Sequence, residues 1–519
     1  MRARFSPHIS RRHFVRLAAT AAGTTIAFPA ILRSAVARRE KPNILFLWTD
    51  QQRFDTLRCY GGNAHAPALD ALANQSVVFD QAYVAQPVCT PSRGCVMTGL
   101  WPHQSGVTGN NIPLSRETPC LPELMKDAEY RTGYIGKWHL GDEVFAQHGF
   151  EEWAATEDNY EAGFSAGRDR KAKSAYHQWL LQHGHKPDSG EYFSRIYAVK
   201  APVEFGKPAF QAERAVDFLR RNRNSPFVLN VSYLEPHTPY ISPLHDDYAK
   251  EEPAVSPSFS QDEEKDLPWR TQIRRAYFRQ NPQFGENQDR LRDIARHYYG
   301  NITCVDRSVA RILRELERLG LADNTVVVFT SDHGDQMSAH GMWFKEVMYQ
   351  DSLRVPLFLR VPGARGGTRV KSPWSHIDMV PTLLDLAGKR VAPQLAGRSR
   401  APEIRGETVA ARPAFAQWTP SKLGDDGEVG GSKPERQSPL VKANPALAKY
   451  LEDSARAVVM PDGWKLVLSD IDRCQLYNLR DDPFEQHNLY YRTEHRAEVV
   501  RLSAEIHAWQ VKTGDSCKL

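Results

Sequence analysis

The chain has 519 residues, of which 41% are hydrophobic and 25% charged, an ordinary globular composition that excludes a disordered chain as the default. Its formal net charge is +5, but residues 1–37 contain six arginines and no acidic residue, which leaves the remainder at −1 (+5 minus 6). A generally basic surface that binds nucleic acid is therefore excluded.

Residues 1–37 are predicted to be a secretory signal. Residues 10–15 (SRRHFV) precede a weakly apolar stretch from Leu17 to Leu32, and residues 35–37 (AVA) fit a small-x-small cleavage site. The pattern resembles a bacterial twin-arginine signal, and Pro29 with several polar residues makes the stretch a poor membrane anchor. We expect export through the twin-arginine machinery, a periplasmic or secreted location and no stable membrane anchor.

The cysteine pattern does not indicate a disulfide framework or a zinc site. The number of cysteines is odd and none is in a Cys-x-x-Cys pair, so the sequence predicts neither a disulfide scaffold nor a zinc cage. The seven are Cys59, Cys89, Cys95, Cys120, Cys304, Cys474 and Cys517.

The first element after the signal is predicted to be a strand. Asn43 to Trp48 is a largely apolar run, typical of a strand buried on both faces of a parallel sheet. Asp50, followed by Gln51, then stands at the carboxyl end of the strand, where open α/β sheets bind their ligands.

Cys89 begins an unusual run, residues 89–93 (CTPSR). Pro91 favours the first turn of a helix, where unpaired backbone N–H groups and the positive end of the helix dipole attract an anionic ester. A nucleophile of the tyrosine-phosphatase type needs arginine six positions after the cysteine, but Cys95 stands there. A buried structural thiol remains the alternative.

Later segments combine basic or amide side chains with glycine, proline or aromatic residues. Each such side chain, taken alone, is more often a solvated charge or a packed histidine. The segments are residues 108–111 (TGNN), 136–141 (GKWHLG), 236–239 (PHTP) after the apolar run 227–231, and 341–345 (GMWFK).

Helices and a second buried strand are predicted further along the chain. Apolar residues recur every three or four positions from Ile302 to Leu319, and Gly320 supplies a cap, which indicates a helix. Residues 325–330 (TVVVFT) indicate a buried strand, and residues 375–388 predict another helix on the sheet. Alternating helices and strands indicate an α/β layer.

Asp332 and His333 directly follow the second strand. Ligands gather at the carboxyl ends of strands in an open α/β sheet, so Asp332 can meet Asp50 there despite the sequence separation. Each aspartate alone is as easily a helix cap or a surface charge.

The C-terminal part differs in character. We place a boundary within residues 401–413, and residues 423–444, rich in Gly, Ser, Pro and charge, are typical of a surface excursion. Residues 457–468 and 474–477 indicate short strands, the first interrupted by a turn at 461–463 (PDG). Two unequal domains fit this pattern.

Residues 89–93 match a Cys-x-Pro-x-Arg motif, and here the sequence resembles the type I, formylglycine-dependent sulfatase family of the alkaline phosphatase superfamily. The segments at 136–141, 236–239 and 341–345 match further elements of that family. Residues 481–489 (DDPFEQHNL) resemble its C-terminal signature, so the resemblance extends from about Lys41 to Leu489.

The resemblance implies an α/β fold, the alkaline-phosphatase-like sandwich. It consists of a large mixed β-sheet between helices, then a small C-terminal antiparallel sheet with a helix from about His495 to Trp509. We predict a signal peptide at 1–37, a sulfatase catalytic domain at 38–405 and a smaller C-terminal α+β subdomain at 406–519.

The resemblance also implies how residue 89 reacts. A formylglycine-generating maturation enzyme would oxidise Cys89 to formylglycine (3-oxoalanine), whose hydrated aldehyde offers one oxygen to attack sulfur and another to expel sulfate. One divalent metal would act as a Lewis acid. The implied metal ligands are Asp50, Gln51, Cys89, Asp332 and His333.

The identity of the metal is less clear than its site. Ca²⁺ is the usual metal of the family, and we expect it here. Gln51 and His333 replace an aspartate and an asparagine common in the family, and an imidazole ligand also suits other ions. Mn²⁺, Mg²⁺ and Zn²⁺ are the alternatives.

Further roles follow by resemblance. Lys137 would bind the sulfate, His139 would assist decay of the sulfated diol, and Arg93 would hold the diol. His237 and Lys345 would stabilise or protonate the leaving alkoxide. The amide donor to a sulfate oxygen is Asn110 or Asn111. The predicted catalytic residues are Cys89, Arg93, Lys137, His139, His237 and Lys345, and the predicted substrate-binding residues are Asn110, Lys137, His237 and Lys345.

The predicted activity is hydrolysis of a sulfate ester by a sulfuric ester hydrolase, giving an alcohol and inorganic sulfate. One alternative is a phosphonate monoester or phosphodiester hydrolase of the same superfamily, and another is a non-catalytic exported binding protein with unmodified Cys89. The substrate, an aryl, choline or glycan sulfate, is left open. Specificity would lie in the loops at 142–200 and 251–288, whose Arg, Lys, Tyr and Trp residues slightly favour a polyanionic sugar.

Overall fold

The computed structural model describes residues 41–250, 255–260, 266–420 and 434–519. The predicted signal peptide at 1–37 and residues 423–433 of the predicted surface excursion lie outside these ranges. Lys41–Leu519 make up one unit by their internal contacts. Among the helices of the described ranges, none combines the length and the apolarity that a membrane span requires.

The described residues form fifteen strands and fourteen α-helices. In chain order the strands are β1 (Asn43–Asp50), β2 (Val77–Phe79), β3 (Ala82–Tyr83), β4 (Arg131–Gly136), β5 (Glu152–Ala155), β6 (Phe227–Pro236), β7 (Thr325–Ser331), β8 (Arg354–Val355), β9 (Leu357–Arg360), β10 (Thr368–Val370), β11 (Trp374–Ser375), β12 (Ala414–Trp418), β13 (Ala455–Val459), β14 (Trp464–Ser469) and β15 (Gln475–Asn478). The helices are α1 (Pro67–Asn74), α2 (Cys89–Thr98), α3 (Pro102–Ser105), α4 (Leu121–Met125), α5 (Ala175–Gln182), α6 (Arg195–Lys200), α7 (Lys207–Arg221), α8 (Trp269–Gln280), α9 (Gln288–Arg318), α10 (Gln350–Leu353), α11 (Met379–Leu386), α12 (Ala401–Ile404), α13 (Pro439–Ala443) and α14 (Arg496–Thr513).

The large sheet has eight strands in the order β10-β2-β9-β7-β1-β6-β4-β5. The five strands from β7 to β5 are parallel to one another, whereas β9 runs antiparallel to both β7 and β2. The sheet is therefore mixed, and the predicted fold class, an α/β sandwich with a large mixed sheet, is confirmed.

Strand β1 lies at the centre of the sheet and is buried on both faces. Ile44, Phe46 and Trp48 face one apolar core with residues of α2 and α11, while Leu45 and Leu47 face a second core with residues of α1, α7 and α9. This alternation explains the continuous apolar run, because successive side chains of a strand point to opposite faces.

Two predicted segments differ in extent from the structure. The helix expected from Ile302 begins at Gln288, because Leu291 and Ile294 continue the same buried stripe. The segments 142–200 and 251–288 are not loops throughout, since they contain β5, α5, α6 and all of α8.

The small sheet is antiparallel, with the order β12-β13-β14-β15. Val499, Leu502 and Ile506 of α14 pack against it, which confirms the predicted C-terminal sheet and helix. The turn between β13 and β14 needs Gly463, whose φ of +94° disfavours residues with a side chain. The domain boundary after residue 405 stays a prediction; β12 begins at Ala414.

Candidate active site

Neighbouring parallel strands deliver polar residues to one edge of the large sheet. Asp50 is the last residue of β1, Asp332 directly follows β7, His237 follows β6 and Lys137 follows β4. These strands are adjacent in the order β7-β1-β6-β4. The side chains that follow their carboxyl ends therefore converge.

Cys89 is the first residue of α2, and its side chain is buried at the same edge of the sheet. Its Sγ lies 3.1 Å from His333 Nε2 and 3.7 Å from Asp50 Oδ1. The thiol thus stands beside the positive end of the α2 dipole, as the position of Pro91 in the first turn predicted.

The pKa of the Cys89 thiol is lowered. Burial and the charge of Asp50 both raise this pKa, but Lys137, Lys345 and His333 together outweigh them. The basic side chains around residue 89 therefore favour negative charge at this position.

Arg93 lies one helical turn after Cys89 and is fully buried. It donates to Asp332 Oδ2 at 2.9 Å and to Asp50 Oδ2 at 3.0 Å, so one guanidinium joins the two strand-end carboxylates. The same side chain donates to Ser232 Oγ at 2.9 Å and lies over the ring of Trp48. These contacts fix the guanidinium in one orientation.

The carboxylates of Asp50 and Asp332 each turn one oxygen towards His333. Asp50 Oδ1 and Asp332 Oδ1 both lie 3.6 Å from His333 Nε2. The other ring nitrogen, Nδ1, lies 2.8 Å from the carbonyl oxygen of Gly334 and donates to it, so in the neutral ring Nε2 carries the lone pair that a metal requires. Burial lowers the pKa of His333, but the charges of Asp332 and Cys89 outweigh burial and raise it.

This arrangement suits a divalent cation. The ligand atoms of Asp50, Cys89, Asp332 and His333 all lie within 4.8 Å of one another, and all four residues are buried. Two carboxylate oxygens, an acceptor nitrogen and residue 89 face a common space, which is the donor chemistry of a mixed oxygen and nitrogen metal site.

Gln51 uses its amide group differently from Asp50. Its Nε2 donates to Asp335 Oδ2 at 2.5 Å and to Tyr240 Oη at 3.0 Å, while Oε1 accepts from Lys345 Nζ. Its backbone N–H donates to Asp332 Oδ1 at 3.0 Å. The structure therefore brings Gln51 to the site with its side-chain oxygen against Lys345, and its role as a metal ligand stays a prediction.

His237 and Lys345 form a pair. Lys345 Nζ lies 3.1 Å from His237 Nε2, and His237 Nδ1 lies 2.8 Å from the carbonyl oxygen of Thr238. The pKa of His237 is well below its usual value because of burial and the neighbouring Lys345. A neutral His237 with Nδ1 as donor leaves Nε2 to accept from the lysine.

His139 is held by groups on both sides. Its Nε2 lies 2.8 Å from Asn111 Oδ1, and its ring stacks on Tyr160 with centroids 4.2 Å apart. Its backbone N–H donates to Glu143 Oε2 at 2.6 Å. Burial and then the charge of Lys137 lower the pKa of His139 well below its usual value.

The structure separates the roles of the two neighbouring asparagines. Asn110 Oδ1 accepts from the backbone N–H of Thr90 in the first turn of α2, at 3.1 Å. Asn111 instead contacts His139. Both line the same cavity. Which of them contacts an anion stays a prediction.

A cavity of about 480 Å³ opens above Cys89. It continues into a second cavity of about 660 Å³, with which it shares Asn159, Arg195, Thr238 and Phe344. The predicted residues that line the first cavity are Cys89, Asn110, Lys137, His139, His237 and Lys345, whereas Asp50, Gln51, Arg93, Asp332 and His333 are fully buried and are not part of its lining.

Several residues of the site were not predicted from the sequence. Asp335 stands two positions after His333, so the strand-end argument that selected Asp332 could have reached it. Ser232 and Tyr240 have no comparable signal, because their contacts with Arg93 and Gln51 depend on tertiary structure. The contact of Glu143 with residues 138 and 139 is local but leaves no periodic signal.

A model of the sulfatase family matches residues 42–389, more than half of the chain. The chain belongs to the sulfatase family. The recognition made from the sequence is confirmed, and with it the enzyme class, a sulfuric ester hydrolase. The buried Cys89 at the start of α2 lies within the part of the chain that matches the sulfatase model.

Two relatives of this sulfatase carry different substrate names. A choline-sulfatase of Rhizobium meliloti is 31% identical over 468 residues, covering 86% of this chain and 82% of the relative. An N-acetylglucosamine-6-O-sulfatase of Bacteroides thetaiotaomicron is 25% identical over 535 residues, covering 90% and 86%. The names of the relatives therefore divide between a small cationic alcohol and a sugar.

Solved structures share the fold. A protein in complex with its substrate D-glucosamine-2-N,6-O-disulfate superimposes with a TM-score of 0.71 at 22% identity, covering 92% of this chain and 99% of the other. A phosphonate monoester hydrolase from Silicibacter pomeroyi gives 0.72 at 21% identity, covering 92% and 96%. At these identities the likeness concerns the fold alone.

Proposed function

We propose that this sulfatase hydrolyses sulfate monoesters through residue 89 after Cys89 has been converted to formylglycine. The reaction is R–O–SO₃⁻ plus water giving R–OH and hydrogen sulfate. The observation that carries the proposal is the position of Cys89 Sγ in the lining of the 480 Å³ cavity, 3.1 Å from His333 Nε2 and 3.7 Å from Asp50 Oδ1. Sγ stands in for an oxygen of the hydrated aldehyde, which would supply the nucleophile.

The charges around residue 89 support binding of an anionic group. Lys137, Lys345 and Arg93 supply three cations, against the two carboxylates of Asp50 and Asp332. The sulfate would lie over Cys89 with Lys137 and Lys345 on the cavity side, since both line the cavity. Fixed cations in a site shielded from water stabilise the charge that develops on sulfate oxygens.

We propose that Asp50, Asp332, His333 and residue 89 hold one divalent cation, with Gln51 as a further candidate ligand. The metal, when bound, would polarise the sulfate and lower the charge felt by the nucleophile. Ca²⁺ follows family usage, whereas the neutral Nε2 of His333 also suits Mn²⁺ or Zn²⁺.

The leaving alcohol would take its proton from the pair formed by Lys345 and His237. Burial lowers the pKa of Lys345, but the charges of Cys89 and Asp50 outweigh burial and raise it. Asp50 keeps its charge when Cys89 is converted, so the ammonium of Lys345 would donate a proton to the alkoxide as the S–O bond breaks. His139, held by Asn111, would assist the later release of sulfate.

The substrate we propose is a sulfated sugar or small alcohol. Arg195, Arg270 and Arg274 line the outer part of the cavity together with Tyr160 and Trp418. Glu346 and Glu435 line the same cavity and pair with Arg274, while Arg195 pairs with Glu157. Such a mixed wall suits a polar organic group. Choline, aryl and N-acetylglucosamine 6-sulfates are the compounds to compare.

We propose that the precursor is exported through the twin-arginine route and modified at Cys89 by a formylglycine-generating enzyme. The support is the SRRHFV run at residues 10–15 and the CTPSR run at residues 89–93. Both steps would precede activity in the periplasm or outside the cell.

The experiment that tests the proposal begins with co-expression of the chain and a formylglycine-generating enzyme. Mass spectrometry of the peptide containing residue 89 verifies conversion, and the panel of sulfate esters is then assayed for sulfate release. Cys89→Ala is the control without a nucleophile. An unmodified thiol after co-expression, or equal turnover by Cys89→Ala, would contradict the proposal and favour a binding protein.

A phosphonate monoester or phosphodiester hydrolase is the second candidate. The fold shared with a phosphonate monoester hydrolase, and the loss of one acidic ligand at Gln51, support keeping it. The two functions differ in the number of organic groups on the central atom. A matched pair of phenyl sulfate and phenyl phenylphosphonate therefore separates them by kcat/KM.

A further inference from the structure

A second cluster of metal-ligating side chains lies outside the catalytic cavity. Cys120 directly precedes α4, Glu123 lies in α4, and His148 lies between β4 and β5. One ligand atom from each lies within 4.8 Å of those of the other two. None of the three residues lines the cavity above Cys89.

His148 is a buried histidine without a hydrogen-bond partner. Its exposure is 6%, and although Glu123 and the backbone of Thr118 are its polar neighbours, neither ring nitrogen has hydrogen-bond geometry to them in the described structure. Nδ1 lies 3.6 Å from Glu123 Oε2, which is too long for a hydrogen bond. Two ligands at tetrahedral zinc are roughly 3.4 Å apart by Zn–N and Zn–O lengths of about 2.1 Å. The separation of His148 Nδ1 and Glu123 Oε2 therefore fits two ligands of one ion better than a hydrogen bond between them.

The other two ligands are also in place. Glu123 Oε2 accepts from the backbone N–H of Cys120 at 2.9 Å, which orients the carboxylate towards the cysteine. Cys120 is fully buried, while the side chain of Glu123 is 34% exposed, so solvent reaches the cluster at the carboxylate.

We propose that Cys120, Glu123 and His148 bind a zinc ion, with water as the fourth ligand. Thiolate, imidazole and carboxylate together favour Zn²⁺ over Ca²⁺ or Mg²⁺, which take oxygen ligands. Binding replaces the thiol proton: Cys–SH plus Zn²⁺ gives Cys–S–Zn⁺ and H⁺. The cysteine pattern gave no sign of this site because only one of its ligands is a cysteine and His148 lies in a separate segment of the chain.

The site would brace the segment that carries two of the predicted catalytic residues. The ring of His148 packs against Trp138, with centroids 5.7 Å apart, and Trp138 stands between Lys137 and His139. Glu143 accepts from the backbone N–H groups of Trp138 and His139. Zinc would thus join α4 to the segment from Lys137 to His148.

The test measures zinc content after dialysis against zinc and then against metal-free buffer. Full-length protein is compared with Cys120→Ser and His148→Gln, and Cys304→Ser, another buried cysteine outside both metal clusters, is the matched control. The catalytic site could also bind zinc, so the informative quantity is the difference in zinc content per chain between each variant and the unmodified protein. We expect one zinc fewer per chain in the two ligand variants and no change in Cys304→Ser.

A second readout does not depend on enzyme activity. In a Cys89→Ala background, added Co²⁺ should give a thiolate-to-cobalt charge-transfer absorption that Cys120→Ser abolishes. If Cys120→Ser does not fold, Glu123→Gln, at a partly exposed position, should lower cobalt affinity at least tenfold. The proposal would be overturned if the ligand variants held as much zinc as the unmodified protein. It would also be overturned if the cobalt absorption and the cobalt affinity were the same in the ligand variants as in the Cys89→Ala parent.

Discussion

Lys137 Nζ donates to Asp50 Oδ2 at 2.6 Å, and both side chains are buried. Burial lowers the pKa of Lys137, but Asp50 and Cys89 outweigh burial and raise it above its usual value. Burial likewise raises the pKa of Asp50, but the positive charges of Lys137 and Arg93 hold it well below its usual range. Both groups are therefore charged at neutral pH, and the ammonium is fixed before substrate arrives.

Replacement of Lys137 by methionine should lower kcat/KM for sulfate esters. The variant keeps the aliphatic chain but removes a fixed cation, and loss of one such donor costs about 10²–10³ in kcat. Steady-state kinetics on protein with verified formylglycine measures the effect. Lys200→Met, at an exposed position at the end of α6, should change nothing; a similar loss there would point to a general effect of removing charge.

Asp335 is predicted to act on the reaction through Gln51. Asp335→Asn would remove the anion that fixes the Gln51 amide, so Oε1 would no longer be directed at Lys345. We expect kcat to fall at least tenfold, with a smaller change in KM. Tyr240→Phe removes only one partner of the same network and should have a weaker effect. If Asp335→Asn and Tyr240→Phe lowered kcat by the same factor and lowered thermal stability by the same amount, Asp335 would have only a structural role.

His333→Asn should change which metal supports activity. The replacement exchanges an imidazole nitrogen for an amide oxygen, which favours Ca²⁺ and disfavours Zn²⁺ and Mn²⁺. Activity is measured after chelation and return of each ion separately. The ratio of activity with Ca²⁺ to activity with Mn²⁺ should rise at least tenfold. An unchanged ratio would place His333 outside the coordination of the metal.

His376 should make the fold sensitive to acid. Burial, and to a lesser extent His333, lowers the pKa of His376 to about 3 from 6.5, so between these values the unfolded chain binds a proton that the native protein does not. Stability therefore rises with pH across this window and is lost as the pH falls from about 6.5 towards 3.

His376→Asn should flatten this dependence by up to about 1.4 kcal/mol per pH unit, the value of one proton. Free energies of unfolding from urea titrations at pH 7 and pH 5 give the slope. His507→Asn, at an exposed position of α14, is the control and should keep the wild-type slope. A wild-type slope in His376→Asn would mean that His376 titrates normally.

Much of the fold follows from local patterns. The apolar runs at 43–48 and 325–330 predicted the two central strands because strands buried on both faces need apolar residues throughout. Thr49 and Ser331 are register partners, which is why Asp50 and Asp332 meet as the strand-end argument expected. The full length of α9 was missed because its first turns are mostly polar and only Leu291 and Ile294 mark the buried side.

The contacts within the site could not be derived in the same way. Asn111 meets His139, and Gln51 meets Asp335, only because loops from different strands come together. Glu143 supports two backbone N–H groups at residues 138 and 139, a contact that leaves no periodic signal in the sequence. Motif resemblance predicted the reacting groups, but the groups that orient them could be found only from the structure.

The most direct test of the central claim relates sulfate release to the state of residue 89. Preparations made with different amounts of a formylglycine-generating enzyme contain different fractions of converted Cys89, which mass spectrometry measures. The initial rate of sulfate release should rise in proportion to that fraction and extrapolate to zero for the unmodified thiol. A rate independent of the converted fraction would contradict the account.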